Sequence, residues 1–281
     1  MNKILLPEKH RPVAQVSYGS VFRTLDMIDV CVTAARRPDL LAATLESFDK
    51  NLLSNFEIGR FIINIDPVFG TVDDEEVCID LVRAYRADAI IHRPEAAGFT
   101  AAVKRNWRST AAETVLHLED DWLLQRPVSP DIIDAFGKDP SLAQICFNHA
   151  TKAWDGKRKG TSCYHRQRRA FLNLPVSFKR KVPAFLTCPS FFRGSFLRGA
   201  ADLLDQNYDP EKQFFSQVNK PLESYVSTFH NIMIGDAPDY YIVDTGREWR
   251  QKRGIEKYVL EAQSYWHGEA ASGETISDAS L

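Results

Sequence analysis

The sequence predicts an α/β fold, a mostly parallel central sheet flanked by helices, and three observations carry that expectation. Four short runs rich in β-branched and apolar residues recur through the first half: IDVCVTAA (28–35), RFIINIDP (60–67), AIIHR (89–93) and ETVLHLEDDWLL (113–124). Amphipathic segments of helical period stand between them. The links are short, and β-α-β-α-β-α-β with short links closes into a parallel sheet.

Each element has its own signal. The first run ends in small residues and reads as a buried strand. In RRPDLLAATLESFDKNL, Leu40, Leu41, Thr44, Leu45 and Phe48 share one helical face, and Pro38 stands at a helix start. The second strand closes at Asp66-Pro67. DEEVCIDLVRAYRA (74–87) places Val77, Leu81, Val82 and Tyr85 on one face, AIIHR is a third strand, and AGFTAAVKRNWRSTA (97–111) is a third helix. The fourth strand runs into three acids. In the second half SLAQICFNHA (141–150) reads as a strand and PSFFRGSFLRGAADLLDQ (189–206) as a loop leading into a helix. EKQFFSQVNKPLESYVSTFH (211–230) holds one or two helices, and DYYIVDTG (239–246) a strand and turn. Residues 1–27 lack clean periodicity and read as an arm. Residues 268–281, rich in Ser, Ala, Gly and acids, read as a disordered tail.

The 281 residues carry 44% apolar and 26% charged side chains and a formal net charge of −2, an ordinary globular balance that selects no partner. The five cysteines are scattered with no Cys-x-x-Cys pair, which excludes a zinc ribbon or a disulfide framework; Cys31, Cys78 and Cys146 lie in apolar runs and read as buried thiols. That usage fits a reducing, cytoplasmic compartment. No run approaches the ~20 apolar residues that span a bilayer, so a soluble protein is expected.

In a sheet of this kind ligands bind beyond the carboxyl ends of the strands. Those positions are Thr33 to Arg37, Asp66, Arg93 and Glu119-Asp120-Asp121. Three adjacent carboxylates repel one another, and burial raises the cost. A divalent cation with oxygen ligands, Mn²⁺ or Mg²⁺, relieves both; a solvated acidic turn is the other reading.

Taken together, the order and spacing from Ile28 to Leu124 resemble the nucleotide-binding half of GT-A (nucleotide-diphospho-sugar transferase) enzymes, the family 2-like glycosyltransferases above all. The resemblance rests on Thr33, Ala34, Ala35 and Arg37 after the first strand, Asp66 after the second, and a DXD-type Glu119-Asp120-Asp121 after the fourth. AAGFTAAVKRNW is similar to the family's Gly-x-x-x-Ala-x-Arg-Asn region, with Gly98, Lys104, Arg105 and Asn106 in place. It implies a metal-dependent glycosyltransferase that takes a nucleotide-sugar donor such as a UDP-sugar. Residues 28–125 would be the nucleotide-sugar-binding half and 126–267 a less regular acceptor-side half. Donor-binding residues would be Thr33, Ala34, Arg37, Asp66, Lys104, Arg105, Asn106, Glu119 and Asp120, with Asp121 and Asp120 at the metal. Glu119-Asp120-Asp121 departs from a strict Asp-x-Asp, which leaves the division of labour among the three open.

The resemblance also calls for a proton acceptor at a helix start in the second half, if the mechanism inverts. The first candidate is Glu223, in NKPLESYVS, where Lys-Pro suggests a helix entry, and the second is Glu211, in YDPEKQFF; if neither serves, a retaining mechanism becomes the alternative. GREWRQKRG (246–254) gathers Arg247, Arg250, Lys252 and Arg253 around Trp249 and looks like the basic loop that such enzymes close over a diphosphate, where guanidinium forks match the oxygens. An ordinary solvated turn is the alternative. His230 and His267 are further metal-ligand candidates.

Between Lys152 and Lys181 stand ten Lys or Arg and one acid, Asp155, with Trp154, Tyr164, Phe171 and Phe178 interleaved; the remaining chain holds 25 basic and 36 acidic residues. This basic insertion reads either as a solvated hairpin or as the surface for a polyanionic acceptor, with Arg166, Arg168 and Arg169 in contact. Hydroxylated-base DNA is one such acceptor and an anionic lipid or polysaccharide another. Two other functions compete. A nucleotidyltransferase making a nucleotide-sugar would open with a glycine-rich phosphate loop, and TAARRPD has no glycine. A non-catalytic nucleic-acid-binding protein has no use for acids at the centre of the sheet.

Overall fold

Between Ile28 and Ala35 every side chain is buried, as a strand covered on both faces requires. This strand, β1 (Met27–Ala35), is the middle of the fold. The computed structural model describes residues 27–149, 157–171, 174–236 and 238–267. The arm expected before Met27 and the tail expected after His267 lie outside the described residues.

After β1 come α1 (Pro38–Asn51), β2 (Glu57–Asp66), α2 (Val72–Tyr85), β3 (Ile90–His92), α3 (Phe99–Arg108), β4 (Thr114–Glu119) and β5 (Trp122–Leu124). The second half adds α4 (Asp134–Lys138), β6 (Leu142–Phe147), β7 (Lys157–Lys159), β8 (Ser162–Phe171), β9 (Leu174–Pro183), β10 (Ser190–Arg193) and α5 (Gly194–Leu203). It closes with α6 (Lys220–Val226), β11 (His230–Ile234), β12 (Ile242–Asp244), α7 (Gly246–Gln251), β13 (Glu256–Leu260) and β14 (Gln263–His267).

Seven strands form the main sheet in the order β11-β6-β10-β4-β1-β2-β3. β10 alone in this sheet runs against its neighbours β4 and β6; the other pairings are parallel. The mostly parallel α/β sheet is therefore the one expected, and the two halves share it. The chain moves outward from β1 to β2 and β3, then returns to the other side of β1 as β4. The crevice between β1 and β4 is thus the topological switch point, where such sheets bind ligands.

The helices divide the core in two. On one face Leu41, Leu45 and Phe48 of α1 and Cys78 and Val82 of α2 pack on Val30, Val32, Ile63 and Leu116. On the other, Val103 and Trp107 of α3 and Phe196, Leu197 and Ala200 of α5 cover Cys31, Ile62 and Val115. The five α1 positions read from the sequence are all buried. Val77 is not: it is 48% exposed, and Glu75 takes the inward place because Arg36 and Arg93 satisfy its carboxylate.

Three further segments differ from the sequence reading. The run 113–124 breaks at Asp120-Asp121, and β5 leaves the main sheet to pair with β12. Residues 190–193 are a strand before α5. The basic segment after Gly246 is a short helix, α7. The basic insertion forms an antiparallel sheet, β7-β8-β9, tied to β11 where Asn231 accepts from the Cys163 amide and donates to its carbonyl. All five cysteines are buried, and none of them is in a disulfide. Among the described residues no helix is long and apolar enough to cross a membrane.

Candidate active site

At the switch point the carboxyl ends of β1 and β4 lie side by side, Thr33 level with Glu119. The Asp120 amide donates to the Thr33 carbonyl (3.1 Å), which carries the chain from β4 across the end of β1. Asp120 is 1% exposed, and Oδ2 accepts from the Ala35 amide (3.0 Å) and from Arg37 Nε (3.2 Å). Oδ1 takes a second bond from Arg37 Nη2. Arg37 also reaches Asp121 Oδ2 through Nη1 (3.2 Å), and Arg250 reaches the same oxygen at 3.6 Å. Thr44 holds the Asp120 carbonyl from α1 (2.8 Å).

Two guanidiniums thus do part of what the sequence assigned to a cation. Burial raises the Asp120 carboxyl and would lower Arg37. Arg37 offsets burial only in part for Asp120, whose carboxyl is pushed up to about 6, while the two carboxylates hold Arg37 above its ordinary value, so the pair is ionised at neutral pH. The Arg37 guanidinium lies 5.6 Å from the Phe69 ring centre and 5.5 Å from that of Trp249, which shields the pair from water. Trp249 is fixed by Nε1 donating to Asp39 (3.1 Å).

Asp121 is set from the far end of the chain. Its carbonyl accepts from the Thr245 amide and hydroxyl, both at 2.9 Å. A Cβ on Gly246 would stand 1.9 Å from Asp121 Oδ2, so only glycine leaves that carboxylate in place. Glu119 accepts from Trp122 Nε1 (3.1 Å).

The second strand end is built differently. Asp66 is 7% exposed; Oδ1 accepts from Asn64 (2.7 Å) and Oδ2 from the Gly98 amide at the start of α3 (3.0 Å). Burial pushes its carboxyl up, and the Gly98 amide, Asn64 and Arg105 pull it back. Arg105 bonds Asn64 Oδ1, and Asn106 bonds the Val32 carbonyl (2.8 Å) and Thr33 Oγ1 (3.4 Å). Lys104 takes another course: Nζ donates to the Leu204 carbonyl at the end of α5 (2.6 Å), so its charge serves the α3–α5 contact. Arg93 pairs with Glu75 and Glu76.

Of the proton-acceptor candidates, Glu211 receives the Thr187 amide (2.8 Å) and hydroxyl (3.1 Å). Residues 187–189 bend and do not continue β10, and Leu186 before them exchanges bonds with the Gln144 side chain of β6. Glu223 is 8% exposed in the first turn of α6 and accepts from the Gln217 amide. His230 pairs with Asp139 (2.7 Å) at the start of β11, the opposite edge of the sheet, and His267 is exposed at the end of β14. Arg247 is exposed in α7. Arg166 is exposed on β8; Arg168 and Arg169 follow on the same strand, their side chains outside the described residues.

The sequence did not single out Phe69, Trp266 or Gly246. Trp266 of β14 meets Phe69 edge-on (5.3 Å) and lies 5.4 Å under Arg250. The Phe69–Trp266 contact joins segments some 200 residues apart, and local sequence carries no signal of it.

No family model matches the sequence, and no curated protein matches it. Solved structures do. TarS of S. aureus superposes over 78% of this chain with a TM-score of 0.52 at 14% identity, and 36% of TarS is covered. GalNAc-T7, solved with UDP, GalNAc and Mn²⁺, superposes over 79% with a TM-score of 0.51 at 10% identity, and 44% of it is covered. The chain thus spans less than half the length of either protein. Sheet order, strand directions and these superpositions agree: the chain has the GT-A, or nucleotide-diphospho-sugar transferase, fold.

Proposed function

We propose that this protein is a glycosyltransferase that takes a nucleotide-sugar donor, with the diphosphate at the end of β1 and β4. The observation that carries the reading is the convergence of Arg37, Asp120, Asp121 and Arg250 at the switch point of the sheet. Structural acids have no reason to gather there, and a GT-A structure of this topology, GalNAc-T7, carries UDP, GalNAc and Mn²⁺.

A divalent metal, Mn²⁺ or Mg²⁺, fits only part of the cluster. Asp120 has both oxygens engaged, and among the described residues no three His, Cys, Asp or Glu side chains are gathered as a cage. Asp121 is the ligand that remains, which suits a metal held by one carboxylate and otherwise by phosphates and water. Bound there, the metal would neutralise charge on the departing diphosphate. Arg250 adds a guanidinium to the same end, and Arg247 extends the basic surface outward. Thr33, Ala34 and Asp66 line the nucleoside side, with Arg105 and Asn106 behind them. Asp120 acts through Arg37 as a positioning residue.

In the transfer, the acceptor hydroxyl oxygen forms a bond to the anomeric carbon as the bond to the diphosphate oxygen breaks. The electron pair leaves on the diphosphate and the hydroxyl proton passes to a carboxylate. Glu223, in the first turn of α6, and Glu211, beside Thr187, are the two candidates for that proton. The exposed cations Lys157, Lys159, Arg166 and Lys181 on the β7-β8-β9 sheet favour a polyanionic acceptor. Hydroxylated-base DNA is the acceptor named from sequence, and the sugar, hexose or pentose, is left to experiment.

The test is a thermal-shift panel of nucleotide-sugars with and without Mn²⁺. A specific donor at a hundred times its Kd stabilises by about 2.7 kcal/mol and raises Tm by several degrees. If no nucleotide-sugar at millimolar concentration moves Tm in either condition, the proposal fails.

A further inference from the structure

We propose that Phe69 is a positioning residue for Arg250: its ring, carried on a left-handed backbone, seats the segment that brings this second guanidinium to Asp121. What Arg250 then does to a diphosphate rests on the glycosyl-transfer reading; the seating does not.

Phe69 lies in the link between β2 and α2, and that link is tied on both sides of it. The Val68 amide donates to the Asp66 carbonyl (2.8 Å), and the Arg36 amide donates to the Val68 carbonyl (3.1 Å). Gly70 passes close to the same residue: a Cβ there would stand 2.1 Å from the Arg36 carbonyl oxygen. Thr71 then caps α2, its hydroxyl accepting from the Asp74 amide (3.2 Å) and its amide donating to the Asp74 carboxylate (2.7 Å). Between these fixed neighbours Phe69 has a φ of 67°. Glycine takes that conformation freely and asparagine tolerates it, but a bulky aromatic residue there is an outlier. Strain of this kind persists only where the surroundings hold it, and it directs attention to the side chain.

The ring is buried and meets two indoles edge-on. Trp249 of α7 lies at 6.1 Å and 69°, and Trp266 of β14 at 5.3 Å and 78°. Edge-to-face pairs attract beyond the area they bury. With Ala35, Leu40 and Ile255 these rings form a small core apart from the two main ones. Ala35 and Leu40 come from β1 and α1, whereas Trp249, Ile255 and Trp266 come from the last third of the chain. Packing alone would be served by an apolar residue in a relaxed turn. A ring on a strained backbone is placed for the two indoles.

Each indole carries one guanidinium of the site. Arg37 lies 5.5 Å from the Trp249 ring centre, and Arg250 lies 5.4 Å from that of Trp266. Both reach Asp121 Oδ2, Arg37 at 3.2 Å and Arg250 at 3.6 Å. The two depend on Phe69 unequally. Arg37 is bound twice to Asp120, and Trp249 has Asp39 as a second anchor. The β13–β14 hairpin is held near its tip by Asp209, whose amide donates to the Ala262 carbonyl (2.7 Å) and whose carboxylate accepts from Ser264. At the open end of the hairpin Trp266 rests on Phe69. Loss of the ring therefore falls on Trp266 and Arg250, and the Arg37–Asp120 pair stays.

The test compares wild type, Phe69→Gly, Phe69→Tyr, Arg250→Met and the Phe69→Gly/Arg250→Met double variant, each as the whole chain with circular dichroism as the fold control. Phe69→Gly removes the ring and gives the backbone the residue it favours; Phe69→Asn repeats the measurement should the glycine variant not fold. Amide hydrogen exchange, read by mass spectrometry, is expected to rise at least tenfold over 249–257 and 265–267 in Phe69→Gly. Exchange in β1 and β4 should match wild type, and Phe69→Tyr, which keeps the ring, should match wild type throughout. Binding is titrated calorimetrically with UDP, GDP and CDP in the presence of Mn²⁺, and the tightest of the three is carried through the series. Phe69→Gly and Arg250→Met are each expected to weaken it at least tenfold. The double variant should bind no more weakly than Arg250→Met, because the ring acts through the guanidinium.

The inference is overturned if exchange over 249–257 and 265–267 is unchanged in Phe69→Gly, or if Phe69→Tyr behaves as Phe69→Gly does. It is also overturned if the two losses of affinity multiply in the double variant, or if Arg250→Met weakens binding and Phe69→Gly does not. A wild type that binds none of the three nucleotides at millimolar concentration would remove the glycosyltransferase reading, and the exchange result would still decide the seating.

Discussion

Replacing Arg37 by Met tests whether the acids at the end of β4 are held by a guanidinium. Asp120 is 1% exposed and takes two of its three side-chain hydrogen bonds from Arg37. Removing one partner of a buried ion pair leaves the other charge uncompensated and costs about 3–5 kcal/mol. Lost cation–π contacts with Phe69 and Trp249 add about 0.5–2 kcal/mol. Asp120→Asn should cost less, about 1.5–3 kcal/mol, because Arg37 keeps Asp121 at 3.2 Å. In the double variant both buried charges are gone, so the loss should fall short of the sum by about 2–3 kcal/mol. Urea unfolding at neutral pH, extrapolated linearly to zero denaturant, measures all four proteins. An Arg37→Met protein within about 1 kcal/mol of wild type, or strict additivity in the double variant, would show that Arg37 and Asp120 do not depend on each other.

Four other outcomes follow from the same geometry. Asp121→Asn should abolish Mn²⁺-dependent transfer or donor hydrolysis while keeping a cooperative fold that loses about 1–3 kcal/mol, since Arg37 and Arg250 lose a carboxylate partner; near wild-type turnover would remove it from the reacting end. Glu223→Gln should lower kcat by about 10²-fold or more with donor affinity unchanged, and if Glu211→Gln does so instead, the proton acceptor lies in the segment before α6. Gly246→Ala should cost about 1–3 kcal/mol and most of the activity by driving the Asp121 carboxylate out of place, read by denaturation and turnover together. His117, wholly buried beside Trp107, has its ordinary pKa of 6.5 lowered to about 4 by burial. The unfolded chain therefore takes up a proton that the folded one refuses, and stability present above pH 6.5 declines by about 3 kcal/mol as pH falls to 4. His117→Gln should lose that component of acid sensitivity in a urea-by-pH series.

The sheet was readable because its signals are local. Buried strands on either side of β1 show as continuous apolar runs, and the α1 face from Leu40 to Phe48 needs only the helical period. Val77 was misplaced because Glu75, an acid that periodicity alone would turn outward, is satisfied by Arg36 and Arg93. β10 escaped notice because four residues before a helix carry no alternation to read. At the site, the sequence located the acids but not their counter-charge. Arg36 and Arg37 are adjacent and chemically alike, and only the twist of the chain leaving β1 sends one to Glu75 on α2 and the other beneath Phe69 to Asp120. The pairing of Arg37 with Asp120 spans 83 positions, and that of Trp249 with Asp39 spans 210.

The hold of Thr245 and Gly246 on Asp121 bears on when the site comes into being. A chain emerging from the ribosome exposes β1 to β4 first and can pair Arg37 with Asp120 early, since both belong to the first 120 residues. Asp121 must wait. Its carbonyl partners, its glycine neighbour and its second guanidinium all arrive more than 120 residues later, with the segment 245–250. A nascent chain halted before that segment would have the sheet and the internal ion pair but a wandering Asp121. Competence to bind a diphosphate would switch on only once the segment 245–250 has emerged and docked.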